Sequence, residues 1–352
     1  MSNSGVSHTT TNTAAQRTNL ADWGKAITRG DRAALARAIT LLESGHPPDH
    51  RTAQALLAHL RTHSKPKPTF RLAITGPAGV GKSTFIEALG QHLLAHPGRV
   101  AVLAIDPGAL TQVDARGAIL ADKTRMTRLA THEDAFVRPA TSAGASGGIA
   151  HATREVIELF EGAGYDWIII ETLGAGQAED IASSLCDALL LLGQPGSGDG
   201  LQALKRGLND RADFVLVNKA DGDLLDYARQ AAQDFQHSRT PEDRQRVWLV
   251  SSLTGEGCKD FSQALIAWLD ARRQSGALDA RRRRRLVPWL AWRLHQEIDQ
   301  HIDAPALHAA AADLHDGRED LRAVLATLTS TLADALTQAL AAGFDKSHPS
   351  AK

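Results

Sequence analysis

The segment Gly76-Pro-Ala-Gly-Val-Gly-Lys82-Ser83 constrains this chain more than any other feature. It has the form G-x-x-x-x-G-K-[ST], and its flanks give it meaning. The apolar run Arg71–Thr75 precedes it, and a helical pattern through Phe85, Leu89 and Leu93 follows. A strand that turns through glycines into a helix opens a βαβ unit, and such units build parallel sheets covered on both faces. Gly76, Gly79 and Gly81 let backbone N–H groups curl around a phosphate, while the helix N-terminus adds partial positive charge. Lys82 is expected to reach the β- and γ-phosphates of a nucleotide, and the Ser83 hydroxyl to bind Mg²⁺. Ala78, Val80 and Thr84 complete the predicted phosphate-binding set.

Further apolar runs at Val100–Ile105, Trp167–Ile170, Ala188–Gly193, Phe214–Val217 and Val247–Val250 alternate with helical stretches. The expected fold is therefore α/β, a doubly wound and mostly parallel sheet over about residues 69–275, with helical extensions at both ends. Residues 1–20 are Ser/Thr-rich and read as a disordered tail. Over residues 21–68, Ala34, Leu35, Ala38, Leu41 and Leu42 recur at helical spacing. Gly45-His46-Pro47-Pro48 is expected to end that helix, and another resumes over Thr52–Leu60. Residues 276–352 are Ala/Leu-rich without a strand signal and read as a helical arm.

Four more strand ends carry chemistry. Asn218-Lys219-Ala220-Asp221 follows Phe214–Val217 and so falls at the carboxyl edge of the sheet, where ligands bind. An ionised Asp221 accepts only, so it can take the N1–H and the exocyclic amine of guanine, whereas adenine would meet it lone pair to lone pair. Lys219 would lay its stem over the base plane. Ser251-Ser252-Leu253, after the next strand, is placed to offer a backbone N–H to the guanine O6. Asp106 and Glu171 each end an apolar strand and suit a Mg²⁺ shell, directly or through water. Glu171-Thr-Leu-Gly174 has the form of a γ-phosphate sensor, with the Gly174 N–H as contact, and Gln177 is a candidate for ordering the attacking water.

Taken together, these motifs resemble the P-loop GTPases of the MeaB/ArgK type. The segments that carry the likeness are Gly76–Ser83, Asp122-Lys-Thr-Arg-Met126, Arg138-Pro139, Gly147-Gly148, Glu171–Glu179, Pro195–Asp199, Leu201–Gly207 and Asn218–Asp223, with Gly30–Thr40 resembling the family's N-terminal helix. The resemblance implies a slow GTPase that binds GTP/GDP and Mg²⁺ and serves a B12-dependent acyl-CoA mutase. Nucleotide turnover would gate adenosylcobalamin transfer and the ejection of damaged cofactor. It also implies a homodimer held by the C-terminal helices. Residues 108–124 would be a first switch, 171–177 a second and 194–205 a third. Asp122, Lys123, Asp199 and Lys205 would then relay between nucleotide and partner. Two departures touch the partner-facing loops. The stretch after Asp106-Pro107 is about three residues longer than the family's, and Gly200 stands where an acid is usual. The resemblance implies methylmalonyl-CoA mutase as the client, and the departures open a mutase for a related hydroxyacyl- or branched acyl-CoA as the alternative.

Other classes fit less well. Lys plus Arg (39) against Asp plus Glu (40) gives a net charge of −1, which argues against a bulk-electrostatic nucleic-acid binder. The two cysteines, Cys186 and Cys258, build neither a disulfide framework nor a zinc site. No apolar run is long enough to span a membrane, and no secretory leader is legible, so a cytoplasmic protein is expected. A nickel-insertion GTPase would need a His/Cys collecting cluster; His92 and His96 have chelating spacing but no third ligand near them in sequence. An ATP-using P-loop kinase is disfavoured by Asn218–Asp221. The arginine-rich stretch Arg272–Arg293, which includes the run Arg281–Arg285, is expected to be a solvated helix face. An RNA or acidic partner surface is the alternative, and a ribosome-associated GTPase is the function that would use it.

Overall fold

The computed structural model describes residues 20–44, 46–63, 68–95, 98–105, 126–138, 146–172, 177–195, 207–301 and 304–344. Among these residues, seven strands form one sheet. They are β1 (Phe70–Thr75), β2 (Val100–Ile105), β3 (Ala135–Arg138), β4 (Trp167–Thr172), β5 (Ala188–Gly193), β6 (Phe214–Val217) and β7 (Val247–Leu249). Their order is β3-β2-β4-β1-β5-β6-β7, and every pairing is parallel. The sheet is thus wholly rather than mostly parallel. Its edge strand β3, a four-residue segment, was not legible as an apolar run.

Alternation along β1, β2, β4 and β5 feeds two large buried clusters, because successive side chains point to opposite faces. Ala73, Ala101, Leu103, Ile168, Ile170 and Leu189 share one buried cluster. Leu72, Ile74, Val100, Val102, Ile169 and Leu190 share the other. The first face is covered by the helices Arg32–Leu42, Pro47–His63, Ser146–Gly162 and Gln177–Leu185, the second by Lys82–Leu94, Thr127–Thr131 and Cys258–Gln274. Leu35, Ile39, Leu56 and Leu57 are fully buried in the first cluster, so the N-terminal helices are part of the main core. Each such side chain contributes roughly 1.5–3 kcal/mol of burial.

The N-terminal region differs in detail from the expectation. Residues 20–28 form one helix, the chain turns at Gly30 (φ 94°), and Asp31 caps the next by accepting from the Ala33 and Ala34 N–H groups. Pro47 and Pro48 open the following helix instead of only ending the previous one. That suits proline, whose missing N–H costs nothing in a first turn.

The chain divides into two compact units, one ending at Arg282 and one beginning at Arg283. Within the first, the start of the helix Ala277–His301 is tied to the foot of the sheet. Arg281 donates two hydrogen bonds to Asp213, each of 2.7 Å. Arg282 donates to Asp187 Oδ1 at 2.8 Å and to the Thr69 carbonyl at 2.6 Å. These two arginines are therefore not part of a solvated face; their guanidinium forks neutralise carboxylates that the strand ends bury. The second unit consists of the remainder of that helix with Ala304–His315 and Leu321–Phe344.

Candidate functional site

Register brings the carboxyl ends of four strands to one edge. Ile74 pairs with Glu171, Thr75 with Leu191, and Gly193 with Val217. The loop Gly76–Gly81 leaves this edge after β1 and feeds the helix Lys82–Leu94. Two of its glycines are demanded by close approach. A Cβ on Gly76 (φ 150°) would run into the Leu192 carbonyl. One on Gly81 (φ 96°) would lie 2.6 Å from Asn218 Nδ2. Val80 is wholly buried, whereas Ala78 and Thr84 are exposed.

Lys82 is 7 % exposed, and its ammonium donates to the carbonyls of Gly76 (2.8 Å) and Pro77 (3.0 Å). Ser83 donates its hydroxyl proton to Glu171 Oε1 at 3.0 Å, and Glu171 is fully buried at the end of β4. A hydroxyl and a carboxylate converging beside a glycine-rich loop are hard oxygen donors of the kind Mg²⁺ takes.

Asn218 knits three loops together. Its Nδ2 donates to the Val80 carbonyl at 2.9 Å, and its Oδ1 accepts from the Ser252 N–H (3.0 Å) and hydroxyl (2.7 Å). Lys219, at φ 60°, donates to the Gly79 carbonyl at 2.9 Å. Asp221 stands half-buried beside them. In the Ser251–Leu253 loop the Ser251 N–H is spent on the Glu256 carbonyl (2.9 Å) and the Ser252 N–H on Asn218. Leu253, 84 % exposed, is thus the member of that loop presented outward. Beneath it, the Cys258 thiol donates to the Ser251 carbonyl at 3.6 Å, and burial pushes its pKa up to about 11. It stays a neutral donor.

The structure therefore brings Gly76–Thr84, Glu171, Asn218–Asp221 and Ser251–Leu253 to one edge. Asp106, Gly174, Asp122, Lys123, Asp199 and Lys205 lie outside the described residues. Gln177 is the first residue of the helix Gln177–Leu185. One polar cluster at this edge went unread in the sequence. Thr75 donates to Glu179 Oε1 at 2.9 Å and accepts from the Thr172 hydroxyl at 3.1 Å, all three residues being buried. The cluster ties the strand that enters the phosphate loop to the one that carries Glu171. Threonines closing two neighbouring apolar strands were its only sequence signal.

Comparison with known proteins follows this geometry. The family model described as Methylmalonyl Co-A mutase-associated GTPase MeaB matches residues 35–306. The mouse (Mus musculus) methylmalonic aciduria type A homolog, mitochondrial, is 39 % identical over 286 residues, spanning 77 % of this chain and 68 % of that protein. GTPase ArgK of Escherichia coli K12 is 37 % identical over 291 residues, spanning 81 % of this chain and 86 % of that protein. The crystal structure of a protein titled LAO/AO transport system kinase superposes with a TM-score of 0.68 at 30 % identity, covering 90 % of this chain and 98 % of that one. The parallel sheet, the phosphate loop and these matches converge: the chain belongs to the MeaB family of methylmalonyl-CoA mutase-associated GTPases.

Proposed function

We propose that this protein is a GTP-hydrolysing chaperone of a B12-dependent acyl-CoA mutase in the cytoplasm, gating adenosylcobalamin loading, protection and reactivation. The client is methylmalonyl-CoA mutase or a mutase for a related hydroxyacyl- or branched acyl-CoA. The observation that carries the reading is the single sheet edge joining the phosphate loop, the Ser83–Glu171 pair and Asn218 in a chain of this family.

In this reading Lys82 exchanges its loop carbonyls for the β- and γ-phosphates of GTP. Backbone N–H groups of residues 78–84 hold the remaining phosphate oxygens. Ser83 and Glu171 would hold Mg²⁺, with Asp106 completing the carboxylate set. Bound there, such an ion would supply charge neutralisation for the phosphates. Water attacks the γ-phosphorus without a covalent enzyme intermediate as the bond to the β,γ-bridging oxygen breaks, giving GDP and inorganic phosphate. Gly174 donates its N–H to the γ-phosphate oxygens, and Gln177 orients the water. Asp221 accepts from the guanine N1–H and amine, and the Leu253 N–H serves O6, since its two neighbours' N–H groups are committed. Asp122, Lys123, Asp199 and Lys205 carry the nucleotide state to the client.

The second unit is the proposed homodimer arm. Val287, Leu290 and Leu294 recur at three- and four-residue spacing on one helix, Leu321 and Leu325 on another, and all five are exposed. Such a stripe suits a second copy of the chain.

Capture tests the reading. The protein, charged with a non-hydrolysable GTP analogue or with GDP, is used to pull down partners from a lysate of its own source. A cobalamin-dependent mutase retained in one nucleotide state and released in the other is expected. Eluates without any mutase in either state would contradict the chaperone role.

A further inference from the structure

One link at the nucleotide edge is made by the first residue of the segment 194–205, outside the phosphate and base motifs. Gln194 immediately follows β5, and its Oε1 accepts a hydrogen bond from Lys219 Nζ at 2.8 Å. The two residues are neighbours because the strands beneath them are locked. The Asn218 N–H donates to the Gly193 carbonyl at 2.9 Å, and Gly193 pairs with Val217. Gly193 also has to be small: a Cβ there would lie 2.9 Å from the Phe235 ring, which packs over this end of the sheet.

Lys219 needs such support. Its φ of 60° is the left-handed region, which a long side chain rarely adopts. A residue held there persists only when its surroundings over-determine it. Two acceptors do so, the Gly79 carbonyl of the phosphate loop and the Gln194 amide oxygen. The first is a main-chain atom and is fixed by the loop. The second is the only side-chain acceptor on this ammonium among the described residues.

The geometry points to Gln194 as a positioning residue for nucleotide binding, one that holds Lys219 in the conformation that lays its stem against the purine. This inference rests on the guanine-loop reading proposed above. Lys219 presents a methylene stem and a charge, neither of which distinguishes one purine from another. Loss of Gln194 should therefore weaken every purine nucleotide by the same factor and leave base preference intact.

The test uses the full chain and measures GDP, IDP and XDP affinities, with release of a fluorescent GDP followed by stopped flow. Gln194→Leu keeps the volume and removes the acceptor, and about tenfold faster release with equal loss for all three nucleotides is expected. Gln194→Glu restores an acceptor and should release within about twofold of the unaltered protein. Gln194→Ser reads the same contact if the leucine variant does not fold. Wild-type release from Gln194→Leu, or equal loss in Gln194→Glu, overturns the assignment. Asp221→Asn, run alongside, must transfer preference from GDP to XDP. If it does not, the guanine-loop reading falls and the Gln194 role with it. If it does while Gln194→Leu is silent, the Gln194 role alone is wrong.

Discussion

The strands β5 and β6 carry polar groups at both ends, and the two ends solve the same problem differently. At the foot, Asp187 and Asp213 are neutralised by Arg282 and Arg281, and each also accepts a backbone N–H, from Arg71 and Leu189 respectively, both at 2.9 Å. At the top, Lys82 donates to main-chain carbonyls of the glycine loop, and Lys219 to the Gly79 carbonyl and the Gln194 amide oxygen. A carboxylate paired with a guanidinium cancels its charge. An ammonium on a carbonyl keeps most of its field, and an arriving phosphate competes for it on favourable terms. The foot is built to stay as it is, and the top to exchange partners.

Substitutions break the comparison at one end or the other. Lys82→Ala removes charged hydrogen bonds to phosphate, and GTP affinity should fall about a hundredfold or more. Titration calorimetry reads the loss, while the melting temperature without nucleotide stays close to that of the unaltered protein. Asp187→Ala does the reverse. It strands the Arg282 guanidinium beside a fully buried position, and unfolding free energy should drop by about 3 kcal/mol in denaturant titrations. GTP affinity of the folded fraction should not change.

Gly81→Ala sharpens the contrast within the top. Its Cβ would press on Asn218 Nδ2 in a left-handed backbone, and about tenfold weaker GTP binding is expected. Gly79→Ala, also left-handed but with open space around the Cβ, isolates the backbone cost and should lose less. The smallest effect belongs to Cys258. Its raised pKa leaves stability untouched below the ordinary thiol value of 9.0 and erodes it as pH climbs toward about 11, because only the unfolded thiol ionises in that window. Denaturant midpoints at pH 8 and pH 10 compare the two regimes, and a Cys258→Ala chain should lack this part of the decline.

The top of the sheet was far more legible in the sequence than the foot. Glycines, Lys82 and the Asn218–Asp221 quartet announce themselves because phosphate and base chemistry demand fixed residue types at fixed spacing. Arg281 and Arg282 could not be told from Arg283–Arg285, since a basic run looks the same whether its partners are solvent or Asp187 and Asp213, which lie far away in sequence. The strand Ala135–Arg138 was missed because a short edge strand has too few residues to establish a period. Gln194 and the Thr75–Glu179–Thr172 cluster depend on register between strands, a property of the sheet as a whole.

The most direct test of the account is a competition titration of the unaltered protein with GTP and ATP. The arrangement of Asp221, Lys219 and Leu253 predicts GTP binding at least about a hundredfold tighter than ATP, because a carboxylate facing the adenine N1 meets acceptor with acceptor. Equal affinity for the two nucleotides would mean that this edge holds phosphate without reading the base, and the guanine assignment would fail.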